Sequence, residues 1–210
     1  MKNTKIYEDT IRDIEIYNSH DTPLDEKNNA RMRTIERFKA GEWSDRRQAV
    51  DAFINTPNSS RLMFFVLGDS EINEQAKIEC IEGMCSTHGS FNYLIAGMTR
   101  LMRETTDIVS VERLTKSAAE IFKREGKYSE EFEEAALVSF HNKYYVGRKM
   151  PSGLIHAISD MLSARENIKN SQNPQKQLRV VWEDIFEKFN FSEKLREQVS
   201  DVLNPKRVSI

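Results

Sequence analysis

Side chains able to do chemistry are few and scattered in this chain of 210 residues. Its histidines are His20, His88, His141 and His156, and its only thiols are Cys80 and Cys85. No two histidines lie four residues apart, and no glutamate stands three residues before one. Neither a paired-histidine helix face nor the Glu-x-x-His pair of di-iron bundles is therefore encoded. The cysteines have no histidine at zinc-finger spacing. Five residues apart on a helix, they would sit about 7.5 Å apart along the axis on faces some 140° apart, which disfavours a disulfide. Small core residues in a reducing compartment are the expectation.

The run EEFEEAAL (130–137) gathers four carboxylates, as a paired-acid active site would. Glu130 and Glu131 fall in a helix's first turn, where acids are favoured by the dipole. Glu133 and Glu134 continue a polar face opposite Phe132, Ala136 and Leu137, so a solvated helix start is expected. There is no glycine-rich phosphate loop and no G-x-S-x-G elbow. The sequence thus predicts no catalytic residue, no cofactor and no metal site.

Two basic stretches carry more information. Lys27, Arg31, Arg33, Arg37, Lys39, Arg46 and Arg47 are opposed only by Glu36, Glu42 and Asp45, a local charge of +4. FHNKYYVGRK (140–149) holds Lys143, Arg148 and Lys149 beside Tyr144 and Tyr145, with no acid. Cations mixed with aromatics suit phosphate contact and base stacking. The candidate nucleic-acid contacts are Arg31, Arg33, Arg37, Lys39, Arg46, Arg47, Lys143, Tyr144, Arg148 and Lys149. Arg46 and Arg47 are expected in the first turn of a helix, where positive charge opposes the dipole and calls for an anionic partner or a nearby acid. The overall charge of −2, however, gives no global field for a polyanion or a membrane surface.

The elements that position these groups are set off by a recurring stretch. GEWSD (41–45), GDSEINE (68–74), EGKYSEE (125–131) and NFSE (190–193) each place a large apolar residue before Ser or Asn and then an acid. That is helix-start chemistry, with the hydroxyl or amide as N-cap and the acid just inside. Gly41, Gly68 and Gly126 are expected to end the preceding helices in the left-handed conformation. The cap intervals of 29, 56 and 63 residues are too uneven for a solenoid. DSEINEQA (69–76) and EGKYSEEF (125–132) resemble the acidic turn that opens a helix in TerB-like helical domains, with Ser70 in place of the expected glycine. The resemblance covers eight residues each time and implies no function.

Between these starts the apolar residues recur with helical period, and no run alternates as a half-buried strand would. The expected fold is all-α, a compact multi-helix domain of ten to eleven short amphipathic helices. It is read as one domain over 1–210, with residues 1–22 as an N-terminal helix that packs loosely or exchanges between protomers. TTDIVS (105–110) and NIKNSQNPQ (167–175) are the hinge candidates. Tyr93, Leu94, Met98, Leu101 and Met102 are expected to form one apolar face. SRLMFFVLG (60–68) has too many large apolar residues for one face, so it is either buried on all sides or partly offered to a partner.

No apolar run approaches the roughly 20 residues of a membrane span, and the N-terminus lacks the apolar core of a signal peptide. A cytoplasmic protein with no membrane partner is expected. These readings favour a non-enzymatic protein acting through protein–protein interaction, as assembly, scaffold or regulatory adaptor, including self-association. Tyr7, Ile11, Trp43, Arg46 and Arg47 are its candidate contacts, because aromatic and arginine residues are enriched at interface hot spots. The alternative is a nucleic-acid-associated protein using residues 27–47, with or without 140–149.

Overall fold

A computed structural model describes residues 4–40, 42–85, 91–144, 150–169 and 174–203. Among them the fold is all-α, with eleven helices and no strand. The chain divides into two compact units, 1–104 and 105–210. The division falls where TTDIVS begins.

The first unit contains α1 (Thr4–Asn18), α2 (Leu24–Ala40), α3 (Trp43–Asn55), α4 (Ser60–Gly68), α5 (Glu74–Met84) and α6 (Phe91–Glu104). Helix α1 packs on α2 and α3 of its own chain, α3 on α5, and α4 on α2 and α6. Fully buried Ile14, Phe53, Leu62, Met63, Ile78, Cys80 and Ile81 form its core. Each such aliphatic or aromatic side chain contributes about 1.5–3 kcal/mol by leaving water. Two glycines let helices approach closely. A Cβ at Gly83 would overlap Val50 Cγ1 of α3, and one at Gly97 would stand 2.7 Å from Leu67 Cδ1 of α4.

The second unit contains α7 (Ile108–Glu125), α8 (Glu130–Tyr144), α9 (Ser152–Ile168), α10 (Pro174–Phe189) and α11 (Glu193–Leu203). Helix α9 lies against α7, α10 and α11, and α8 against α7. Trp182 and Phe191 both meet Phe140 and Phe186 in an aromatic core, and the Trp182 indole NH donates to Ser159 Oγ at 3.2 Å.

The helix starts follow the predicted chemistry at two of the four stretches in full. Asn73 Oδ1 accepts from Gln75 NH at 2.8 Å, and Ser129 Oγ from Phe132 NH at 3.2 Å. Helix α11 begins at Glu193, directly after Ser192. GEWSD departs from the pattern: α3 starts at Trp43, and the NH groups of Asp45 and Arg46 both reach Glu42 O at 3.0 Å. Glu42, in extended backbone, opens the helix earlier and takes Ser44 into the first turn. Arg46, the fourth helical residue, closes that first turn and Arg47 lies beyond it, where the dipole acts weakly.

Of the predicted glycine stops, Gly126 has the left-handed geometry, at φ 60° and ψ 25°. Gly68 does not. It belongs to α4, and a Cβ there would lie 3.1 Å from Arg100 Nη1, so proximity to α6 is what a side chain at this position would disturb. Gly41 lies outside the described residues. Helix α7 is capped by Asp107, three residues before the predicted Ser110: Oδ2 accepts from Ser110 NH at 2.9 Å. That bond holds the carboxyl below the usual carboxylate range. Of the predicted loop 167–175, residues 167–168 end α9 and 174–175 open α10; residues 170–173 lie outside the described set.

Candidate interaction site

The basic residues of α2 point in two directions, because positions 24, 27, 28 and 31 share one face of a helix and 33 and 37 another. On the second face, Arg33 and Arg37 both reach Asp13 of α1, at 2.5 and 2.7 Å. Asp13 is 2% exposed, so this pairing fastens α1 to α2 from the inside. The hydrogen bond to Asp13 raises Arg33 above its ordinary pKa. Lys39 stands 2.6 Å from Glu71, 3.3 Å from Glu36 and 3.7 Å from Asp69. Its pKa too is raised, first by the bond to Glu71. Arg46 Nε lies 3.8 Å from Glu79 Oε2 of α5, so a nearby acid is present at that site. Arg47 is exposed.

Tyr7 and Ile11 are half-buried on α1, and Trp43 is the first residue of α3, its side chain outside the described set. Lys143 and Tyr144 end α8 with side chains outside that set, and Arg148 and Lys149 lie outside it altogether. The structure therefore brings together Arg33 and Arg37, but on a carboxylate of their own chain.

Arg31 belongs to the other face of α2. Its guanidinium carbon sits 5.0 Å from the centroid of Phe65, on α4. Helix α4 buries Leu62, Met63, Val66 and Leu67 and turns Phe64 and Phe65 outward with Arg61. The outward residues at 61, 64 and 65 follow helical spacing, so an aromatic stripe occupies the place where an amphipathic helix normally carries polar groups. Both expectations for SRLMFFVLG apply to different residues: four large apolar side chains are buried and the two phenylalanines are only partly covered.

Four rings form a continuous strip on this unit. Tyr17 meets Phe65 with centroids 5.9 Å apart, Phe65 meets Phe64 at 5.7 Å, and Phe64 meets Tyr93 at 6.3 Å, all edge to face. Arg61 lies 5.9 Å from the Tyr93 centroid. Tyr93 is 40% exposed, which corrects its predicted place on the buried face of α6. Phe91, Leu94, Ile95, Met98, Leu101 and Met102 form that face, and Tyr93 lies about 100° round from Leu94.

Next to the strip is a hollow of about 330 Å³, lined by Tyr17, Asn18, His20, Leu24, Lys27, Asn28 and Arg61. Leu24 is 74% exposed. The side-chain NH₂ of Asn18 donates to Asn58 O at 3.2 Å, tying the end of α1 to the turn before α4. Sequence spacing does not single out Tyr17, Phe64, Phe65, Arg61 or Leu24 as one site. They lie on three helices, and only the outward remainder of the crowded α4 run signals the strip.

The groups considered for catalysis have structural surroundings. Cys80 and Cys85 are buried free thiols, and burial pushes the Cys80 thiol far up. Glu133 is not on a solvated face: it takes the Arg165 guanidinium at 2.7 Å and the Tyr128 hydroxyl, while burial holds it above the usual carboxylate range. Among the described residues no cluster of three or more His, Cys, Asp or Glu could hold a metal ion, and no helix is long and apolar enough to cross a membrane. Comparison with family models, curated proteins and solved structures finds no match to this chain.

Proposed function

We propose that this chain is a non-enzymatic interaction protein, an adaptor or scaffold, that binds a protein partner through the aromatic and arginine strip of its first unit. The observation that carries this reading is the outward stripe of α4, where Phe64 and Phe65 remain only partly covered between Tyr17 and the exposed Tyr93. Leaving such rings at the surface forgoes burial that would stabilise the fold. Aromatic and arginine side chains are also the types that dominate binding energy at protein interfaces. The nucleic-acid reading draws less support, because Arg33, Arg37, Lys39 and Arg46 all stand beside carboxylates of the same chain.

The test is comparative capture from extract of the source cell, using the full chain and a Tyr93→Ala/Arg61→Ala variant. Both residues are exposed, so the variant should keep the helical circular dichroism of the parent. The reading predicts at least one protein retained by the parent and depleted about tenfold with the variant, a change of 1.4 kcal/mol. Identical capture profiles would overturn it. Solution mass of both proteins tells whether the partner is a second copy of the chain.

A further inference from the structure

Resting on that reading, we infer that the hollow beside the strip receives a short acidic segment of a partner protein, one that also carries a large apolar side chain. The hollow sits where the end of α1, the α1–α2 turn, the first turns of α2 and the start of α4 converge. Its volume of about 330 Å³ is at the small end of ligand sites and suits one large side chain. Its walls combine two cations, Lys27 and Arg61, with the His20 imidazole, the Asn18 and Asn28 amides, Tyr17 and Leu24, and no lining residue is a carboxylate. Leu24 offers an apolar contact that the chain itself leaves mostly uncovered.

Charge separates a peptide from a nucleic acid here. Asp21, Asp25 and Glu26 are exposed on the same stretch of chain. A phosphate backbone needs a continuous basic track and would run past these acids, whereas a segment with one or two carboxylates needs only Lys27 and Arg61. The rings of the strip also meet edge to face, and Arg31 and Arg61 already lie over Phe65 and Tyr93. Stacked bases would have to displace them. A peptide's apolar side chain meets the ring edges and Leu24 without doing so.

The experiment selects from a random linear peptide library on the full chain, with counter-selection on Lys27→Glu/Arg61→Glu. Affinities of the winning peptides and of labelled oligouridine are then measured by fluorescence anisotropy. The expected winners place Asp or Glu beside Phe, Leu or Trp. They should weaken about tenfold or more on the double variant and be unchanged on Lys116→Glu, an exposed lysine of the second unit. Winners without acids that lose affinity with Tyr93→Ala and not with Lys27→Glu/Arg61→Glu would overturn this inference and leave the proposed function standing. Oligouridine binding with no selected peptide would overturn both. No binding of either would overturn the inference, and the capture experiment would then decide the function alone.

Discussion

Arg33 and Arg37, offered by the sequence for phosphate contact, are used in the fold to hold Asp13. Its carboxylate is buried, with Arg33 and Arg37 at 2.5 and 2.7 Å. Removing the charge leaves Arg33, half exposed, and Arg37, partly exposed, to water, so Asp13→Asn should cost about 1–2 kcal/mol in urea unfolding, the worth of charge-assisted hydrogen bonds to one buried carboxylate. A loss below about 0.5 kcal/mol would place the pair among ordinary surface ion pairs. Lys77 presents the opposite case. It is 4% exposed on α5, and burial lowers its pKa, with Glu104 the largest counteracting influence. A depressed lysine pKa means that the folded state disfavours the charged form. Its contribution to stability is therefore fully present above the unfolded value, near 10.4, and is lost as pH falls through the folded value. Lys77→Met should stabilise the fold at pH 7, with the gain shrinking as pH rises through the lowered folded value and gone above about 10.4. Thermal unfolding across pH 7 to 11 measures this (a gain constant with pH would contradict the assigned cause).

At the scale of elements, what was legible followed from local chemistry. The caps at Asn73 and Ser129 and the stop at Gly126 are decided within a turn or two of chain, and they read directly from residue type. Gly68 and Tyr93 misled because their roles come from another helix or from a rotation of about 100° around the helix axis. The partners of Arg33, Arg37 and Arg46 lie 20 to 33 residues away, on α1 and α5, where spacing carries no signal. The strip was half legible: the surplus of apolar residues in SRLMFFVLG was visible, but not which of them faced outward. Close helix approach gives a prediction at this scale. Gly83→Ala should gain about 1 kcal/mol in helix propensity, yet the new Cβ meets Val50, whose branched side chain has few alternative rotamers. Overpacking of this kind costs about 1–3 kcal/mol, so a net loss of stability is expected in chemical denaturation. A gain would mean that α3 and α5 separate without penalty.

For the whole molecule, the two compact units invite a test by expression. Residues 1–104 made alone should show helical circular dichroism and a cooperative unfolding transition, since the core around Leu62, Met63 and Ile78 lies within them. A fragment that lacks cooperativity would show that this core needs the rest of the chain. The surface account assigns recognition to one of these units, with net charge too small to attract a polyanion from a distance. The most direct measurement of that claim is amide hydrogen exchange on the full chain, with and without the partner obtained by capture. The account predicts slowed exchange in residues 17–31, 60–68 and 91–95, the segments that carry Tyr17, Leu24, Lys27, Arg31, Arg61, Phe64, Phe65 and Tyr93. Protection confined to residues 105–210, with those segments unchanged, would contradict it.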